Sequence, residues 1–166
     1  MGAVTTVYRA STTITISPEN VASSTSFVAG VESAVYDNTG NKDQDVIIGG
    51  KWTCGTTPAA GNVLVYVVSV LDDTPTYPDV FDGTASAETV TTANVGAGFM
   101  KLAANMPVDV TTSNQAYYCT FSVAQLFGGV VPLKFVLFIT HNTTVNSNST
   151  AGNHVWKATG VSFSVA

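Results

Sequence analysis

Charge is scarce in this sequence: Lys, Arg, Asp and Glu together make up 10% of its 166 residues, against roughly 25% in an average soluble protein. The six basic residues, Arg9, Lys42, Lys51, Lys101, Lys134 and Lys157, stand far apart. No basic patch is therefore available to release counterions from a nucleic acid or to hold an anionic bilayer, and neither partner is expected. Cysteine is equally sparse. Cys54 and Cys119 are too few for a disulfide scaffold and lack metal-ligand spacing, so both are expected to be reduced, buried and inert. The longest apolar run, Val63–Val68, falls far short of the roughly 20 residues that span a membrane. Met1–Ala10 has no apolar stretch of the kind a secretory signal needs. These absences predict a soluble product made in a reducing cytoplasm.

Catalytic patterns are missing too. No serine sits in Gly-x-Ser-x-Gly, and no Cys, His and Asn or Asp grouping stands out. Carboxylate pairs for glycoside hydrolysis are set in space rather than in spacing, but Glu19, Glu32 and Glu88 all lie in polar or turn contexts. No enzyme activity, cofactor or small-molecule substrate is expected.

What is present is β-branched and apolar. Hydrophobic residues reach 45%, and Thr and Val are stiff at χ1 and suit a pleated surface. The short runs Thr12–Ile16, Phe27–Val35, Asp45–Thr53, Asn62–Val70, Gly98–Leu102, Ala116–Phe121, Lys134–Thr140 and His154–Val165 alternate with Gly, Pro, Asn and Asp clusters, the pattern of a sandwich or barrel. Eight strands predict an all-β fold, a β-sandwich of jelly-roll type, occupying residues 11–166 behind an N-terminal arm of residues 1–10. Asp37–Asn41 and Gly55–Gly61 read as turns between neighbouring antiparallel strands. Val63–Val68 and Lys134–Thr140 show no polar alternation, so both faces of each should be covered, by an oligomer partner or a neighbouring body. One short helix is expected at Ser122–Phe127, where Ser122 and Gln125 form a capping box and Gly128-Gly129 supplies the left-handed stop.

Three places carry groups that could hold a metal. Asp72, Asp73, Asp79 and Asp82 share one loop, and Asp37, Asn41, Asp43 and Asp45 cluster beside a turn. Neither spacing fits a calcium-loop consensus, and Asp is also a turn former. His141 and His154 flank a second loop, with no Asp or Glu anywhere in residues 134–166. No metal is expected at any of them. Asn142-Thr143-Thr144 and Asn148-Ser149-Thr150 match the glycosylation pattern, which Asn/Ser/Thr-rich loops produce by chance.

Several strings look familiar: Gly30-Val31-Glu32-Ser33 with Asp37-Asn38-Thr39, then Gly49-Gly50-Lys51, Gly55-Thr56-Thr57-Pro58, Asp72 through Val80, Phe121-Ser122-Val123-Ala124, Leu126 through Val130, and Phe138 through His154. From about Phe27 to His154 the chain resembles small structural proteins of tailed-bacteriophage virions, of the head decoration or cement type. The resemblance implies a non-enzymatic capsid decoration protein on the head surface, binding the major capsid protein and itself as a homo-oligomer such as a trimer. A tail or fibre part, or a receptor-binding carbohydrate module, is the alternative. Val4, Val7 and Tyr8 of the arm and Tyr77 and Phe81 of the first loop are the expected partner-binding residues. Tyr77, Phe81 and Trp156 are the aromatic faces a sugar could stack on.

Overall fold

The computed structural model describes residues 2–72 and 76–165. Among them, eleven strands form two antiparallel sheets. The first sheet runs β1 (Val4–Tyr8), β11 (Val155–Val165), β5 (Asp45–Thr53), β9 (Ala116–Ser122), with β2 (Thr12–Thr13) continuing the β1 edge on β11. The second runs β7 (Ala87–Thr89), β3 (Ala29–Glu32), β10 (Lys134–His141), β6 (Gly61–Ser69), β8 (Met100–Val108), with β4 (Tyr36–Asp37) continuing β3 along β10. β1 and β2 pair with β11, β3 and β4 with β10, β5 with β9, and β6 with β8. That nesting is one long antiparallel ribbon rolled onto itself, the jelly-roll topology of a β-sandwich.

The rolling overturns one expectation. Asp37–Asn41 and Gly55–Gly61 do not close hairpins: β4 and β5 lie in different sheets, and so do β5 and β6. Both turns are arches across the sandwich. A turn string marks where a strand stops, and the same Asn and Gly chemistry serves a hairpin or an arch.

Between the sheets lies one core. β5 alternates strictly, with Val46, Ile48 and Trp52 buried on its inner side. Val63, Val65 and Val67 of β6 and Phe135, Leu137 and Ile139 of β10, neighbours in the six-stranded sheet, fill the core from its other side, while Trp156 and Ala158 of β11 complete the filling. Gly50 is glycine for a packing reason: a Cβ there would collide with the ring of its cross-strand neighbour Trp156. Removing this much apolar surface from water, at about 25 cal/mol per Å², is the main stabilising term.

β10 is buried along nearly its whole length, as the unbroken apolar run requires. The cover for its outer side comes from the chain itself and not from another molecule. The connection from β6 to β8 wraps back over the six-stranded sheet, and Phe81, Val90, Val95 and Phe99 form a second apolar cluster with Tyr66, Val68, Met100, Val136 and Phe138. Phe81 meets Phe138 edge to face at 5.5 Å. Thus the expectation that an oligomer partner or neighbouring body covers β6 and β10 is corrected: one of the two long loops supplies the missing layer, with β7 and a 3-10 turn at Thr92–Asn94 inside it.

The expected helix is α1 (Val123–Leu126). Ser122 Oγ accepts from Gln125 N at 3.2 Å, and Gly128 and Gly129 follow with φ of 72° and 96°. Asp45 adds a second cap that sequence spacing does not reveal, accepting from Ala124 N at 3.0 Å and from Ser122 Oγ at 2.7 Å.

Candidate functional site

The two sheets differ on their outer faces. The six-stranded sheet is covered by residues 77–99, whereas the five-stranded one is bare. Side chains of odd-numbered residues in β5 and β11 and even-numbered ones in β1 and β9 point outward there, because partners in register share a face. This face carries Ile47, Tyr118, Val155 and Val161, then Tyr8, Phe163, Val4 and Val165 towards one end, separated by Thr6, Thr120 and Thr159. Tyr118, Tyr8, Phe163 and Val165 are 71%, 68%, 61% and 72% exposed. Its charged side chains are Lys51, Lys157 and Asp45, the last turned into the start of α1. A shallow groove of about 420 Å³, floored by Gly49 and walled by Tyr118 and Val155, lies in the middle. Large contiguous apolar patches on a protein surface mark interaction sites.

At one end the face runs out onto a ribbon. β11 pairs with β5 only as far as Val161, while β1 continues with it to Val165. Residues 4–7 and 162–165 therefore form a two-stranded projection beyond the sandwich. The expected arm is thus docked on its own chain in this structure rather than leaving it. Val4 and Tyr8 lie on the outer face with Phe163 and Val165, whereas Val7 points to the opposite side. At the root, Arg9 donates to both oxygens of the buried Asp43 at 2.8 and 2.7 Å, to Asn41 Oδ1 at 2.9 Å and to the Tyr36 hydroxyl at 3.0 Å. Gly160 leaves room for that carboxylate, which a Cβ would strike.

The other expected contact residues fall elsewhere. Phe81 is 5% exposed and anchors the cover layer, so it offers no surface to a partner. Tyr77 is half-buried beside it, and its hydroxyl, pushed up to about 12 by burial, has no hydrogen-bond partner among the described residues. Trp156 is buried in the core and cannot serve as a stacking face for sugar. Tyr118, Val155, Phe163 and Val165 went unsingled in the sequence, although the alternation of β9 and β11 places all four on one face.

Most of the polar groups that invited a metal reading are occupied by protein partners, and Asp72 is exposed. Asp37 accepts from Thr39 and pairs with Lys134 at 3.3 Å, which holds its carboxyl below the usual range. Asp43 holds Arg9 and Asp45 caps α1. Asp79 accepts from the Thr91 amide and hydroxyl at 2.8 Å, and Asp82 from the Thr84 amide at 2.8 Å; Asp73 lies outside the described residues. His141 and His154 do not face each other. They flank Trp52 at ring distances of 5.1 and 4.9 Å, and the Nε2 of each bonds a backbone carbonyl at 3.0 Å, Val21 and Asn148 respectively. Burial lowers the pKa of both, so they serve as neutral struts of the loop they bracket. Among the described residues no group of three or more His, Cys, Asp or Glu is placed to hold a metal. Burial pushes both thiols, Cys54 and Cys119, up to about 11, and a thiol so raised is a poor nucleophile.

No known family, curated protein or solved structure matches the chain.

The opposite pole of the sandwich has another character. A cleft of about 570 Å³ there is lined by Asn20, Gly55, Asn114, Asn146, Asn148 and Thr150, among others, and by no charged side chain. Asn148 is its hub: its amide donates to Asn114 Oδ1 at 2.7 Å and accepts from Thr150 N and Asn153 Nδ2, each at 2.8 Å. A side chain so engaged and buried is no glycosylation acceptor, whatever its sequence pattern.

Proposed function

We propose that this chain is a non-enzymatic structural protein of a tailed-bacteriophage virion, a capsid decoration (cement) protein that binds the major capsid protein and stabilises the head shell. The observation that carries the reading is the contrast between the two outer faces. The molecule invests some twenty residues of chain in covering one sheet, and leaves the other as a nearly uncharged apolar and threonine surface ending in a projecting ribbon. A surface of that kind suits broad contact with another protein, with many weak contacts adding up when copies act together on a repeating lattice. Asp37, Asp43, Asp45, Asp79, Asp82 and both histidines are tied into turns, caps and core.

Particles lacking the protein, with and without the purified chain added back, test the proposal through their heat resistance. Added protein should bind and raise the temperature of genome release, and a Tyr118→Asp, Phe163→Asp variant should do neither. If protein-free particles are as robust as complete ones but lose adsorption to host cells, the tail or receptor-binding reading replaces it. That second reading is supported by the uncharged, amide-lined cleft around Asn148, whose donors and acceptors suit a neutral glycan better than the buried aromatic residues do; a glycan array discriminates.

A further inference from the structure

The geometry points to a twofold-symmetric dimer of this chain, joined edge to edge through β1 with Thr6 on the axis. β1 is the outer strand of its sheet, with no neighbour beyond it among the described residues. Natural sheet edges are protected by charge, proline, bulges or brevity. The second sheet obeys that rule: β7 has three residues, and β8 carries Lys101, Pro107 and a bulge opposite Val65 and Tyr66. β9, the far edge of the first sheet, lies against β8 at the closed side of the sandwich. β1, the remaining long edge, reads Val-Thr-Thr-Val-Tyr, five strand-forming residues without a charge, proline or glycine.

Its backbone is set for pairing. Arg9 N donates to Gly160 O at 2.9 Å, in register with the β1 and β11 pairs. Because hydrogen-bonded and non-bonded pairs alternate along an antiparallel ladder, Thr5 and Val7 bond β11, whereas Val4, Thr6 and Tyr8 direct their N–H and C=O groups to the free edge. A second copy laid antiparallel about Thr6 sets Thr6 opposite Thr6, and Val4 opposite Tyr8, and so satisfies three donors and three acceptors on each copy. Twofold registers centred on Thr5 or Val7 satisfy only two of each. The central register also places Val4 of one copy beside Tyr8 of the other on the outer face. Such an edge pairs once, so the assembly is an isologous pair rather than the trimer expected from the resemblance. Two bare faces then become one sheet surface of order β9-β5-β11-β1-β1-β11-β5-β9. One five-residue strand pair is smaller than the roughly 1,000 Å² of a stable interface, so the dimer is weak, with its effect in bivalent contact with a repeating surface. Each copy carries a net charge of -5, but the pairing strand is uncharged, so the acidic bodies meet at their most neutral edge.

The inference stands independently of docking on a particle, and its test uses the isolated full chain. Sedimentation velocity from micromolar to millimolar concentration should show a monomer–dimer equilibrium. Thr6→Pro removes an edge N–H that β11 does not use, so it should weaken the dimer at least about tenfold with the melting temperature nearly unchanged. Thr6→Lys, which sets two cations across the axis, should do the same. Thr6→Cys should cross-link to a dimer under mild oxidation, and Val7→Cys, facing the other side, should not. A wild-type chain monomeric throughout and a Thr6→Cys variant that fails to cross-link overturn the inference. A Thr6→Pro variant that dimerises as well as wild type overturns it equally, since the contact then lies elsewhere.

Discussion

Among the described residues Glu32 is the one fully buried carboxylate that no cation neutralises, and replacing it with glutamine should change how stability depends on pH. The residue lies on β3, in the seam between the six-stranded sheet and its cover, and is 0% exposed. Its Oε1 accepts from Gly83 N at 2.7 Å, and Asp82 N stands 3.3 Å from both oxygens. Burial pushes its pKa up to about 7 from an ordinary 4.5; the two amides oppose the rise, and the charges of Asp82 and Glu88 add to it. An acid whose pKa is higher folded than unfolded contributes its stability below the unfolded value and loses it as pH rises through the folded one. At about 1.4 kcal/mol per pH unit, the interval from 4.5 to about 7 amounts to about 3 kcal/mol lost between those pH values. His141 and His154 work the other way. Their lowered pKa values make stability fall as pH drops below 6.5, so the wild-type profile alone is blunted. The diagnostic quantity is the difference between Glu32→Gln and wild type, in which the histidines cancel. That difference should move in favour of the variant by about 3 kcal/mol from pH 4.5 to pH 7.5, or roughly 6–12 °C in melting temperature for a domain of this size. Calorimetry of both proteins across that range reads it directly. A difference flat with pH, or one moving in favour of wild type, would refute the assignment of a neutral Glu32 holding the cover down.

The cover's apolar anchor should matter independently of pH: Phe81→Ala leaves a void against Phe138 and is expected to cost about 3–5 kcal/mol, with increased binding of a hydrophobic dye. Gly50→Ala should be as damaging for the opposite reason, since its methyl group needs the space Trp156 occupies; a melting temperature within a degree or two of wild type would show that the ring has somewhere to go. Native-state thiol labelling should be slow at both Cys54 and Cys119 and become complete only on unfolding, and rapid modification of either would contradict the pKa of about 11 that burial gives them.

The strands were legible because burial on one face and on both faces write different patterns. β5 shows the strict alternation of a strand with one covered side, β10 the unbroken apolar run of a strand with two, and the ends of β5 fall where the sequence puts them, at Asp45 and Thr53. The propensity signal for β8 covers only residues 98–102, because Ala103, Ala104, Asn105 and Pro107 favour strand weakly; pairing with β6 holds them extended to Val108. The agent of coverage was illegible. A run such as Val63–Val68 reveals that something lies on both sides of it, not what, and the covering loop announces itself only by length and by Phe81, Val90 and Phe99. The same limit hid the site. Tyr118 and Phe163 are ordinary half-buried strand residues by pattern, and only the sheet order shows that nothing in this chain lies over them.

The ion pair at the root of the ribbon connects fold to use. A two-stranded ribbon has little stability of its own, and residues 4–7 and 162–165 receive no support from β5. What fixes the ribbon is Arg9, whose guanidinium spans Tyr36 of β4 and Asn41 and Asp43 of the segment that leads into β5. Asp43 has a side-chain exposure of 0%, and stripping a buried charge of its partner costs about 3–5 kcal/mol, so the chain has strong reason to keep Arg9, and with it the base of β1, in place. Gly160 makes the arrangement possible from the β11 side. The ribbon is therefore rigid at its base and free along its edge and outer face. Presenting an apolar edge in a fixed orientation lowers the ordering cost of binding, which a floppy arm of the same sequence would have to meet in full. Electrostatics, otherwise so sparse in this chain, is thus concentrated at the point where the ribbon leaves the core.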